Sequence, residues 1–154
     1  MKRHKTLINT VQTFLKSERI NCVLTTEDEK TGFWSYQLED QRMTGFISIH
    51  EHDSDPVLSA SLTIGLMAQH RKIEAMQLLE QNMALHNGLA LASEMESMVV
   101  VRFVENTEIL TTVRLLFLLG QLHIEANELR QKFLINSQLL APLPMHWFHR
   151  GSDE

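Results

Sequence analysis

Cysteine occurs once in the 154 residues, as Cys22. One thiol cannot close an internal disulfide, so the fold is expected to stand without oxidation and to suit a reducing cytoplasm. Asn21 and Val23 flank it and no activating base is marked beside it, so Cys22 reads as a small buried hydrophobe. Glycine occurs six times and proline three times. No Gly-x-Gly-x-x-Gly, P-loop, Gly-x-Ser-x-Gly or His-Glu-x-x-His run is present, so no phosphate-cradling loop, nucleophile elbow or zinc-protease helix is indicated. Long apolar runs are missing too. The longest is Leu115-Leu116-Phe117-Leu118-Leu119, far short of the ~20 residues that span a bilayer. Behind the basic opening Lys2-Arg3-His4-Lys5 come polar Thr6, Asn9, Thr10, Gln12 and Thr13 in place of a signal peptide's apolar core. Positive charge is the scarcer sign: 14 Lys and Arg against 19 Asp and Glu leave a net charge of −5. Binding a phosphate backbone needs clustered cations, and the basic opening is too short to supply them. These absences predict a soluble cytoplasmic protein with neither a membrane nor a nucleic acid as partner.

The composition that remains is that of a globular domain, with 44% hydrophobic and 21% charged residues. The length suits one domain, expected over 1–141 with a tail over 142–154 that begins at Pro142 and Pro144. Leu7, Ile8, Val11, Phe14 and Leu15 share one side of a helix expected over 5–19. Strands are expected over 33–38 and 43–51, with a polar loop over 50–55. Leu58, Ala60, Leu62, Ile64 and Leu66 then alternate with Ser59, Ser61, Thr63 and Gly65. Period two over nine residues predicts a strand with one apolar and one small polar face, in an antiparallel sheet covered on one side. A helix follows over 68–86, its stripe made by Ile73, Met76, Leu79 and Met83, and Gly88 is placed to stop it. A hairpin over 89–104 has Val99, Val100 and Val101 in a central second strand. The last helix is expected from Asn106 or Thr107 to about 137, with Leu110, Val113, Phe117, Leu122 and Leu129 inward. The fold class is α+β, an antiparallel sheet flanked by helices in the order α-β-β-β-α-β-β-α.

Chemistry is sparse. Of the eight histidines, His50 and His52 are closest together, within His50-Glu51-His52-Asp53. If extended, they point the same way, but a zinc site needs three or four ligands and no further ones are marked. A solvated loop is the reading there, and His146 and His149 belong to the tail. Glu27-Asp28-Glu29 reads as a solvated turn. No catalytic residue, metal or cofactor is predicted, and the chain is read as a binding module and not an enzyme. The positive sign is surplus apolar surface. Met67, Met76, Met83, Met95 and Met98 gather around the second helix and the hairpin, either as core fillers or on an adaptable binding surface. The five consecutive apolar residues from Leu115 to Leu119 exceed what one helix side can bury, which marks an oligomer or partner interface.

Leu78-Leu79-Glu80-Gln81-Asn82, then Gly88-Leu89-Ala90-Leu91 and the apolar strand from Met98 to Val104, resemble the type III secretion chaperone (Tir-chaperone-like) family. The resemblance covers roughly residues 5–140 and includes the amphipathic first helix. The YbjN-like family, of regulatory role, shares that fold and element order, and these residues do not separate the two. The first resemblance implies a cytoplasmic homodimer that uses no nucleotide and holds an extended segment of an effector protein in shallow apolar grooves. It implies groove walls at Leu7, Val11 and Leu15 of the first helix and at Phe46, Ile49, Leu58, Ala60 and Leu62 of the sheet. The second implies an adaptor that binds a folded partner.

Overall fold

The first helix shows how the apolar pattern becomes structure. In the computed structural model, which describes residues 2–20, 22–27, 31–38, 42–52, 55–67, 88–94, 98–132 and 140–141, α1 spans Lys2–Ser17. Leu7, Val11, Phe14 and Leu15 recur at helical spacing and are buried. The helix stops at Arg19, which takes a left-handed φ of 56°. Its N–H donates to the Lys16 carbonyl at 3.0 Å, and that of Ile20 donates to the Leu15 carbonyl at 2.9 Å. This crossed pair satisfies two carbonyls that the helix end would leave open.

Strands β1 (Cys22–Glu27), β2 (Gly32–Leu38), β3 (Met43–His52), β4 (Asp55–Met67), β5 (Ala90–Glu94) and β6 (Met98–Asn106) form one antiparallel sheet in the order β1-β2-β3-β4-β6-β5. A two-residue strand, β7 (Leu140–Ala141), pairs with Leu66 and Met67 of β4, beyond the end of β3. Helix α2 spans Thr112–Gln131. The fold class expected from the sequence therefore stands, with differences of detail. The first run of strands has four members, because β1 was not anticipated. Within the loop expected over 50–55, His50, Glu51 and His52 instead extend β3 and pair with Val57, Pro56 and Asp55 of β4. The helix expected over 68–86, with four of the five clustered methionines' side chains, lies outside the described residues. Gly88 has the left-handed φ of 83° expected of it.

Period two sorts the sheet's side chains. Trp34, Tyr36, Met43, Ile47, Ile49, Leu58, Ala60, Leu62, Val101 and Phe103 point to one face and are buried beneath α1 and α2 in a single core. Gly45 makes room on that face: a Cβ there would land inside the Tyr36 ring. β6 lies between β4 and β5 and buries Val99, Val100 and Val101 in succession, as a central strand does.

The start of α2 corrects the expected cap. Asn106 Oδ1 accepts from the Glu108 N–H at 2.8 Å and shapes a turn. The helix begins later, where Thr111 Oγ1 accepts from the Arg114 N–H at 3.1 Å. Its inward row is Leu115, Leu118, Leu119, Leu122, Ala126 and Leu129. Val113 and Phe117, expected inward, face out, because five leucines and an alanine at helical spacing outweigh the row that starts at Val113.

Candidate protein-binding surfaces

The eight residues implied as groove walls divide sharply. Leu7, Val11, Leu15, Ile49, Leu58, Ala60 and Leu62 lie in the core, each at most 1% exposed. Three belong to α1 and four to the sheet, and none has side-chain surface to offer. Phe46 alone lies on the other face, half-buried, since β3 points Phe46 and Ile49 to opposite sides.

Polar joins hold the core's helices in place. Tyr36 Oη lies 2.9 Å from His123 Nε2, and the His123 ring stacks on Phe14 of α1 at 5.3 Å between centroids. Burial lowers His123 to a pKa of about 4, so the imidazole is neutral and accepts from the tyrosine hydroxyl when its proton is on Nδ1. One mid-helix histidine thus ties α2 to both β2 and α1. At the other end of α1, buried His4 Nε2 lies 2.9 Å from Thr107 Oγ1. Near the end of α2, burial and then the Arg42 guanidinium push Arg130 below its ordinary pKa. Among the described residues, no three of His, Cys, Asp and Glu stand close enough together to hold a metal ion.

The face opposite the helices differs in kind. Register aligns Phe33, Ser48, Ser59 and Val104 in one row across β2, β3, β4 and β6, and Ser35, Phe46, Ser61 and Arg102 in the next. Phe33 and Phe46 form a diagonal pair with centroids 6.0 Å apart. Ser48 and Ser59 share a hydrogen bond of 2.7 Å between their hydroxyls. Val104 is 56% exposed. No described helix covers these two rows. In the third row, Thr63 and Val100, which face each other, are fully buried. The surface is therefore a half-open floor of small hydroxyls around an aromatic pair. Such a floor has space above the serines for apolar side chains and hydroxyls for backbone groups, and no nucleophile–base pair among its described side chains.

A second apolar surface lies on the outer side of α2. Val113 is 77% exposed, Leu116 44%, Phe117 45% and Ile124 53%. The surplus read from the Leu115–Leu119 run is thus real and faces out. Phe33 escaped the sequence reading, although a signal existed. In β2, Trp34, Tyr36 and Leu38 share one parity, and Phe33 belongs to the other, with Ser35 and Gln37.

No protein-family model matches the chain, and no curated protein matches it by sequence. Among solved structures, it is similar to a chain of the HopA1–SchA chaperone–effector complex, with a TM-score of 0.53 and 16% identity, covering 85% of this chain and 98% of that one. The Yersinia pestis type III secretion chaperone SycH, in complex with a stable fragment of YscM2, matches with a TM-score of 0.49 and 14% identity over 79% of this chain and 97% of its own. At these identities the likeness is one of fold. The chain has a type III secretion chaperone-like fold, as the element order led us to expect.

Proposed function

We propose that this chain is a non-catalytic, cytoplasmic protein-binding module that dimerises and holds an extended apolar segment of an effector-like protein. The observation that carries the reading is the Phe33–Phe46 pair on a sheet face that no described helix covers, in a fold shared with a chain of a chaperone–effector complex. An extended segment places every second side chain on one side, about 7 Å apart. Its apolar residues would seat beside the two phenylalanines and Val104, and its backbone would meet the hydroxyls of Ser35 and Ser61. The seven buried residues from the sequence reading belong to the core beneath this floor, and Phe46 is its central contact. Ordering a flexible segment costs entropy, so affinity per unit area is modest and the partner stays exchangeable. No bond is made or broken, and no cofactor enters.

The test is co-purification from the native cell with Phe46→Asp and Phe33→Asp variants. The partner should be lost while the thermal melt stays close to that of the parent. A partner retained by both variants would remove this face from the binding site. A partner that binds only as a folded domain, and not as an isolated segment, would favour the adaptor reading instead.

A further inference from the structure

An arginine keeps its charge at any physiological pH, because the guanidinium holds its proton to above about pH 12. Two arginines brought together therefore repel, and neither can shed a proton to relieve the repulsion. The fold brings two together where the last turn of α2 meets the β2–β3 turn. Arg130 follows Leu129, which anchors that turn of the helix in the core. Arg42 takes a left-handed φ of 52° and precedes Met43, whose side chain is fully buried. Both backbones are thus held in place. Burial first, and then the Arg42 guanidinium, act against the charge on Arg130. Arg130 also has a donor without an acceptor: its Nε is shielded from solvent and makes no hydrogen bond. A charged donor that has lost its water and found no acceptor is unfavourable, and such an atom calls for an explanation. The partial negative charge of a helix C-terminus accounts for one cation in this turn. It accounts neither for the open donor nor for a second cation beside it.

We propose that Arg130 and Arg42 form an oxyanion site, in which Nε and one Nη of Arg130 hold two oxygens of a carboxylate or phosphate and Arg42 adds attraction from the side. Arg42 makes a further interaction within the chain and keeps it, so the donors that grip the anion are those of Arg130. The geometry of the fork fits. Its two N–H groups lie parallel, and a carboxylate or phosphate presents two oxygens at a matching spacing. A lysine would offer a point charge and no fork. Arg130 is half-buried, so a small rotation of its long side chain opens Nε to an anion that arrives from solvent. The anion can be an acidic side chain of another protein or a free phosphate, since both offer the same pair of oxygens. The site uses neither Phe33 nor Phe46, so its failure would leave the reading of the open face untouched.

Arginine Nε–H groups give their own signals in a nitrogen-15 proton correlation spectrum, so the open donor can be watched directly on the full chain. Inorganic phosphate, added at constant ionic strength, should move the Arg130 Nε–H signal to saturation in the millimolar range. The signal is identified by its loss in Arg130→Lys. Backbone amides of Arg42 and Gln131 follow binding in the variants, and unchanged melting temperatures show that the variants fold. Arg130→Lys keeps the charge but removes Nε, and should abolish the saturable shift. Arg42→Gln should weaken binding about tenfold. A blocked diglutamate peptide separates the sources. If it binds more tightly than phosphate, the site takes an acidic side chain, and the reverse order assigns it to a free phosphate. A shift that chloride reproduces, or no shift with either probe, overturns the site. So does saturable binding that survives Arg130→Lys, because the fork is then not used. An Arg130 Nε–H signal already at a hydrogen-bonded position without added anion, and moved from it by Glu39→Gln or Asp40→Asn, gives the donor to the chain's own acids and overturns the proposal as well.

Discussion

The two faces of the sheet are built from the same strands, residue by alternate residue, yet the described helices cover only one. Under α1 and α2, the rows hold Trp34, Tyr36, Ile47 and Leu62 with no exposed surface to speak of. One residue along each strand, the opposite rows hold Phe33, Ser35, Phe46 and Ser61, half-buried. Backbone and register are shared, so the difference is what packs above. It follows that the same kind of truncation should have different consequences on the two faces. Leu62→Ala removes buried atoms and leaves a cavity, with an expected cost of about 3 kcal/mol in urea unfolding. Phe46→Ala on the open face should cost less than about 1 kcal/mol. Equal costs would mean that the open face is packed after all, and the binding reading would lose its surface.

On the closed face, acid should loosen the join made by His123. His123 has a folded pKa of about 4, against 6.5 for the free side chain. Above pH 6.5 both folded and unfolded chains hold it neutral, and its full contribution is present. Between 6.5 and 4 the unfolded chain takes up a proton that the folded one refuses, so stability falls with pH. The loss attributable to this group is about 3 kcal/mol by pH 4. The measurement is the parent's unfolding free energy against that of His123→Phe across this window, so that everything the two proteins share cancels. A parallel pair of curves would show that His123 is not held neutral between Phe14 and Tyr36.

The contrast between faces was largely legible before the structure, and the exceptions have physical causes. The nine-residue alternation of β4 dictated one apolar and one small polar face, and the structure buries Leu58, Ala60, Leu62 and Ile64 accordingly. β1 was missed because Cys22–Glu27 is an edge strand with two threonines and a terminal glutamate, whose strand character comes from pairing with β2. The cap of α2 was misplaced because Asn106 and Thr107 are good caps by residue type. Here Asn106 makes a turn, and the Thr107 hydroxyl meets His4. The groove set mixed parities. Phe46 and Ile49 are an odd number of residues apart on one strand, so one face cannot carry both. Position in the strand therefore reports which face a side chain takes better than hydrophobicity does. His123 was invisible because nothing local marks a histidine inside a leucine-rich helix as the partner of a tyrosine on a distant strand.

The smallest effect concerns the place where the contrast fails. Thr63 belongs by parity to the small polar face, with Ser59 and Ser61, yet it is fully buried. Its hydroxyl has no hydrogen-bond partner, and neither does that of Thr44, which faces it across β3 and β4. A buried hydroxyl without a partner has lost its water and gained nothing in return. Valine has nearly the same shape and the same β-branch, which suits a strand. Thr63→Val should therefore raise stability by up to about 1 kcal/mol, where loss of the Ser48–Ser59 bond by Ser59→Ala should lower it by a similar amount. Both are read from the midpoint of urea unfolding at constant slope. If Thr63→Val destabilises, the hydroxyl has a partner when the protein is in solution, and the polar face extends one row further along the sheet than the closed end shows.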